Sequence, residues 1–141
     1  MARLTIRIDL GTDAALGPGK VRLLEAVNQV GSIRGAANAI GMSYRRAWLL
    51  LQDIEAVMGA PVVAGETGGA NGGGTSLTKL GWAVVGQYRA IEKRASRSVA
   101  TELRALSALA KTRSDFPKSK PETKDSAERR RSLKAKAASR G

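Results

Sequence analysis

Two adjacent arginines, Arg45 and Arg46, have the residue type and spacing that best suit a chemical task in this sequence. An arginine side chain can hold O6 and N7 of guanine with two hydrogen bonds, or it can bind a phosphate group. Catalytic groups are scarce, because the 141 residues contain no histidine and no cysteine. The carboxylates of Asp53 and Glu55 lie two residues apart and would diverge on a helix. We therefore predict that the protein is not an enzyme and that it holds no metal and no cofactor.

The charge of the chain predicts a polyanionic partner. The sequence has 24 basic and 12 acidic residues, a net charge of +12, which favours nucleic acid or an anionic membrane face. Residues 111–141 contain 11 of the basic residues but only Phe116 and Leu133 as large apolar residues, so we expect a disordered basic tail. No apolar run approaches the roughly 20 residues that span a bilayer. The start of the chain lacks a signal-peptide core, so we expect a cytoplasmic protein that does not contact membranes.

Hydrophobic periodicity and capping residues predict the elements that position the two arginines. Ser32 and Ser43 are each placed to begin a helix, and Gly41 lies in the short turn between those helices. We expect glycine at position 41 because a Cβ atom would clash in so sharp a bend. The predicted elements are a strand over 3–10, a loop over 11–19, helices over 20–30, 33–40 and 44–58, strands over 62–66 and 75–78, and one continuous helix from 78 or 79 to about 109.

The third helix has an apolar stripe and an outward face. Trp48 falls on the stripe and is predicted to be a core residue. Tyr44 also falls there, although its position at the helix start leaves open a contact between its hydroxyl and a phosphate. The outward face contains Arg45, Arg46, Leu49, Gln52 and Asp53.

The order of these elements is that of a winged helix-turn-helix, a mainly α fold with a small β-hairpin wing. The hairpin tip, residues 67–74, is rich in glycine. A phosphate-binding loop of the Walker type needs lysine directly after its last glycine, but Gly74 is followed by Thr75 and Ser76. A wing whose bare backbone approaches DNA phosphates explains the glycines better.

Residues 18–90 resemble the N-terminal DNA-binding domain of ModE-type molybdate-responsive regulators, itself related to the LysR-type winged helix. The resemblance rests on GSIRGAANAIGMSYRRAW (31–48), TGGANGGG (67–74) and LTKLG (77–81). It implies a homodimeric transcriptional regulator in molybdenum metabolism, with a long helix that pairs the subunits and a third helix that reads a palindromic operator. The oxyanion-binding modules of that family are not expected in residues 111–141, so we expect neither molybdate sensing nor a small-molecule ligand. The alternative is a non-specific or architectural protein that coats double-stranded DNA with its basic tail.

These interpretations divide the chain into a winged helix-turn-helix domain (1–77), a long dimerisation helix (78–110) and a disordered basic tail (111–141). The predicted DNA-binding residues are Ser32, Arg34, Ser43, Tyr44, Arg45, Arg46, Leu49, Gln52, Thr67, Gly68, Gly69, Asn71, Gly72, Gly73, Thr75 and Lys79. The predicted dimerisation residues are Val84, Tyr88, Ile91, Ala95, Val99, Leu103 and Leu106.

Overall fold

The structure is a computed structural model that describes residues 2–11, 14–65, 74–110 and 132–139. The chain divides into two compact units, Met1–Ser107 and Ala108–Gly141. The elements are, in order, β1 (Ile8–Asp9), β2 (Ala15–Leu16), α1 (Pro18–Val30), α2 (Ile33–Ala39), α3 (Tyr44–Met58), β3 (Val63–Gly65), β4 (Thr75–Leu77), α4 (Lys79–Ser98) and α5 (Ala100–Leu109).

Helix α1 lies at the centre of the core. It packs against α2, α3, α4 and β4, and the adjacent residues Leu23 and Leu24 are both fully buried. Adjacent residues point about 100° apart on a helix, so their joint burial requires neighbours on two sides. Pro18 lies in the first turn, and Gly31 ends the helix in the left-handed conformation with φ of +83°.

The first strand is shorter than predicted. Residues 3–9 alternate between exposed and half-buried positions, so one face of this segment lies toward the protein. However, only Ile8 and Asp9 form ladder pairs, with Leu16 and Ala15 respectively. The predicted strand over 3–10 and loop over 11–19 are therefore corrected, because a strand needs a hydrogen-bonding partner and β2 offers only two residues.

Helices α2 and α3 form the helix-turn-helix. The hydroxyl oxygen of Ser32 accepts a hydrogen bond from the N–H of Gly35 at 2.9 Å, and that of Ser43 accepts one from the N–H of Arg46 at 3.1 Å. Both predicted caps are thus confirmed. Gly41 has φ of +74°, but a Cβ atom there would meet nothing within 4 Å. The turn requires glycine for its left-handed backbone, and the predicted clash was wrong.

Strands β3 and β4 form the base of the wing. They pair antiparallel, with Val63 opposite Leu77 and Gly65 opposite Thr75. Residues 66–73, which include the predicted tip (67–74) except for Gly74, lie outside the described residues. Helix α4 follows directly, because the hydroxyl of Thr78 accepts a hydrogen bond from the N–H of Gly81 at 3.1 Å and caps it.

The predicted continuous helix after the wing is interrupted. Val99 leaves the helical conformation between α4 and α5, with φ of −114° and ψ of +16°. The hydroxyl of Ser98 donates to the carbonyl of Ala95 at 2.9 Å, and such local bonds bend helices. The N–H of Leu103 still bonds to the carbonyl of Val99 at 2.9 Å, so the interruption is one residue long.

The basic tail is described only for residues 132–139, of which 132–138 are helical. This stretch falls in the tail predicted to be disordered, and its leucine, lysine and alanine are strong helix formers. Residues 111–131 and 140–141 lie outside the described residues. None of the helices described combines the length and apolar character that crossing a bilayer requires.

Candidate nucleic-acid interface

Five of the ten predicted DNA-binding residues that the structure describes lie on the outer face of α3. The buried side is narrow and consists of Ala47, Leu51 and Ile54. Arg45, Arg46, Leu49 and Gln52 are exposed, as predicted.

The predicted core positions of Tyr44 and Trp48 are wrong, because both side chains are exposed. The buried stripe passes through Ala47 and Leu51, and Trp48 lies about 100° around the helix from Ala47. Trp48 therefore falls at the edge of the stripe. The signal that could have placed it was the spacing of Ala47, Leu51 and Ile54, which already satisfies a helical core face.

Three arginines lie around the first turns of α2 and α3. Arg34 is exposed on α2, and its guanidinium group stacks over the ring of Tyr44 at 4.5 Å from the ring centroid. Such a cation–π contact at an exposed site contributes about 0.5–1 kcal/mol. Within the described parts of the chain, Arg34, Arg45 and Arg46 form no ion pair. Their charges are therefore free to bind an anion.

The carboxylates of Asp53 and Glu55, near this face, interact with groups on other segments of the chain. Asp53 lies 4.0 Å from the ammonium group of Lys20 on α1. Glu55 accepts a hydrogen bond from the N–H of Val62 at 3.1 Å. The divergence predicted for these two residues is confirmed, and each carboxylate holds a different segment of the fold.

The base of the wing lies beside the start of α2. The N–H of Thr75 donates to the carbonyl of Gly31 at 2.8 Å, which brings β4 next to Ser32, the cap of α2. Lys79 is exposed in the first turn of α4. The remaining predicted wing positions, Thr67, Gly68, Gly69, Asn71, Gly72 and Gly73, lie outside the described residues.

Two of the seven predicted dimerisation residues lie in the protein core. Val84 and Tyr88 are buried in the core of the first unit, because α1 and the N-terminal segment cover this end of α4. Ile91 and Leu106 are exposed, and Ala95, Val99 and Leu103 are half-buried.

A second basic surface surrounds a cavity of about 820 Å³ between the N-terminal segment, α1 and α4. Arg3, Arg22, Arg89 and Lys93 line it, and no pattern in the sequence indicates that these four residues lie close together. Arg89 is already neutralised, since it bonds to Glu25 at 2.5 Å and to Glu92 at 2.8 Å. The hydrogen bond to Glu25 is the main reason that the pKa of Arg89 is raised. Among the described residues, no group of acidic side chains could hold a metal ion.

The order of the elements and the position of the hairpin after α3 define the class of the fold, a winged helix-turn-helix. No protein-family profile matches the chain. Two named proteins are similar to the chain in sequence. It is 40% identical over 92 residues to the molybdenum transport protein ModE of Azotobacter vinelandii, a match that covers 65% of this chain and 33% of that protein. It is 34% identical over 90 residues to the transcriptional regulator ModE of Haemophilus influenzae, covering 64% and 35% respectively.

The resemblance to ModE-type regulators is thus confirmed over the matched residues, while the chain spans about a third of the length of these relatives. Among solved structures, the DNA-binding domain of CbnR in complex with DNA matches 65% of this chain and 97% of that chain, with 24% identity and a TM-score of 0.47.

Proposed function

We propose that this protein is a transcriptional regulator that binds double-stranded DNA in a sequence-dependent way, with α3 in the major groove. The observation that carries the proposal is the exposed face of α3, where Arg45, Arg46 and Gln52 project with no ion pair to any described residue. Arginine and glutamine are the side chains that most often make paired hydrogen bonds to guanine and adenine.

Arg34 and Tyr44 support this docking, because they would position α3 on the DNA backbone. Stacking on Tyr44 holds the Arg34 guanidinium beside the start of α3, where a phosphate would lie if the first turn of α3 entered the groove. The N-terminal end of α3 also favours a phosphate through its backbone dipoles. These contacts give affinity and orientation, whereas the contacts of Arg45, Arg46 and Gln52 would select the sequence.

We further propose that two copies of the protein pair through a surface on α4 and α5. The resulting dimer would bind a palindromic operator. Ile91 and Leu106 support this proposal, because they are large apolar side chains left exposed on these helices. A twofold dimer would present two copies of α3 to half-sites one helical turn apart, or a multiple of that spacing. The names of the relatives favour genes of molybdenum handling as targets, and a regulator of transcription in a bacterial cell would act in the cytoplasm.

Selection of duplexes from a randomised library by the full chain tests the proposal. We expect one sequence pattern to be enriched, and we expect Arg45→Ala or Arg46→Ala to weaken the selected duplex by about 1–3 kcal/mol at fixed salt. Arg94→Ala is the matched control, because Arg94 is also exposed but lies on α4. Binding is measured by fluorescence anisotropy on selected and random duplexes.

The outcomes separate this function from its alternative. A loss on the selected duplex that exceeds the loss on random DNA would support base contacts. Tight binding with no enriched pattern would favour the non-specific, architectural protein, for which the basic tail would supply most of the affinity and a steep salt dependence. Unchanged binding in both arginine variants would contradict the placement of α3.

A further inference from the structure

Three apolar side chains form an exposed patch on α3 next to the arginines. Tyr44, Trp48 and Leu49 are 43%, 46% and 48% exposed, and together with Arg45 they line one shallow depression. Trp48 follows Tyr44 by four positions, and Leu49 follows Arg45 by the same spacing. Each pair therefore lies about one turn apart on the same side of the helix. We call Tyr44, Trp48 and Leu49 the apolar patch.

Leaving this patch in water has a cost that a partner could remove. Burial of a large apolar side chain is favourable, and 43–48% of the surface of these three residues remains exposed, although the Arg34 guanidinium stacks over the ring of Tyr44. The partner must also accept Arg45, since that side chain lines the same depression. A second apolar protein surface would remove water from Arg45 without supplying an opposite charge, which is unfavourable.

The major groove of DNA offers both kinds of contact at once. It presents acceptors on guanine and phosphates that suit Arg45, and its one apolar group is the C5 methyl of thymine. We infer that Trp48 and Leu49 contact thymine methyl groups, so that the protein prefers thymine over cytosine beside the base that Arg45 contacts. This inference rests on the proposed function and adds a specificity determinant to it.

The geometry of the helix limits where the thymine lies. Leu49 follows Arg45 by one turn, a rise of about 6 Å along the helix axis. Base pairs are stacked about 3.4 Å apart, so the two side chains reach positions that differ by at most about two base pairs. The selected sequence should therefore contain a thymine within about two base pairs of a guanine in each half-site.

Replacing thymine by deoxyuridine tests this inference, because the exchange removes the methyl group and leaves every hydrogen-bonding group in place. Each thymine of the selected duplex is replaced in turn, and the affinities of the wild type, Trp48→Ala and Leu49→Ala are measured by anisotropy. For the wild type we expect about a fourfold loss at one or two positions, which corresponds to about 0.8 kcal/mol for one buried methyl-sized group. For Trp48→Ala or Leu49→Ala we expect that loss to disappear at the matching position.

Leu10→Ala is the matched control, because Leu10 is 39% exposed but lies beside Met58 at the other end of α3. This variant should keep the full deoxyuridine penalty. A penalty that persists in both patch variants, or the absence of any penalty while Arg45→Ala still weakens binding, would overturn the inference and leave the proposed function standing. If selection enriches no sequence pattern, the proposed function fails and the inference fails with it.

Discussion

Tyr88 stabilises the fold of a single subunit through a hydrogen bond from its buried side chain. Its ring is 1% exposed, and its hydroxyl donates to the carbonyl of Ile6 at 2.8 Å. This bond ties the N-terminal segment to α4 across 82 positions of sequence. Burial, followed by the nearby Glu92 carboxylate, raises the pKa of the Tyr88 phenol, because a buried phenolate loses its hydration.

We expect Tyr88→Phe to lower the free energy of unfolding by about 1 kcal/mol, since it removes one hydrogen bond and leaves the Ile6 carbonyl without that donor. The raised pKa adds a pH dependence. A phenol whose pKa is higher in the folded state stabilises the fold below its unfolded pKa of about 10, and that stabilisation is lost as the pH rises further.

Urea unfolding at pH 7 and above pH 10 measures both effects. The wild type should lose more stability than Tyr88→Phe over this interval. The exposed Tyr44 provides the control, and Tyr44→Phe should keep the alkaline loss of the wild type. Equal losses in the wild type and Tyr88→Phe would show that Tyr88 does not carry the pH dependence.

The junction between the wing and α4 shows how an element is joined to the core. The N–H of Thr78 bonds to the carbonyl of Val62 at 3.0 Å, and its hydroxyl donates to the carbonyl of Pro61 at 2.7 Å. Gly81 lies one turn later, where a Cβ atom would overlap the carbonyl oxygen of Val62. The motif LTKLG therefore joins a buried leucine, a helix cap and a glycine that permits close backbone contact.

Two glycines of α4 give a matched test of this junction. We expect Gly81→Ala to destabilise the fold by about 1–3 kcal/mol, because the added methyl group overlaps backbone that cannot move freely. Gly86→Ala should instead stabilise it by up to about 1 kcal/mol, because position 86 has open space around it and alanine is the better helix former. Thermal unfolding followed by circular dichroism measures both. A Gly81→Ala variant as stable as Gly86→Ala would contradict the close approach.

At the scale of the whole molecule, exposed apolar surface occurs in separate regions of the described chain. The arginine-flanked apolar patch lies on α3, while another exposed apolar surface lies on α4 and α5, where Ile91 is 44% and Leu106 is 60% exposed. The net charge of +12 makes self-association through charged surfaces unfavourable. An apolar surface is thus the better candidate for pairing two copies.

We expect the wild type to be a dimer and the double variant Ile91→Glu and Leu106→Glu to be a monomer, because both subunits of a dimer would place carboxylates in the interface. The matched control is Ala90→Glu with Ala105→Glu, which adds the same charges at exposed positions one residue earlier on each helix. Light scattering after size exclusion measures the mass. An unchanged dimer mass in the first variant would place the interface elsewhere.

Local features of the fold could be predicted from the sequence because they depend on neighbours in the chain. Ser32 and Ser43 cap helices by bonding to backbone three residues away. Gly31 and Gly41 adopt the left-handed backbone that their positions require. The exposed positions of Arg45 and Arg46 also followed from helical periodicity alone. Together these short-range signals were sufficient to predict the helix-turn-helix and the face of α3 that carries the proposed site.

Tertiary structure decided which apolar residues are buried. The same periodicity describes Trp48 and Tyr88 as core or interface, yet the first is exposed and the second is buried. Their environments depend on distant segments: Tyr88 bonds to Ile6, while Trp48 remains 46% exposed. The need for glycine at position 81 likewise depends on the carbonyl of Val62. Burial is a property of packing between segments that meet only after folding, so a pattern along one helix shows its period but not which neighbours will cover it.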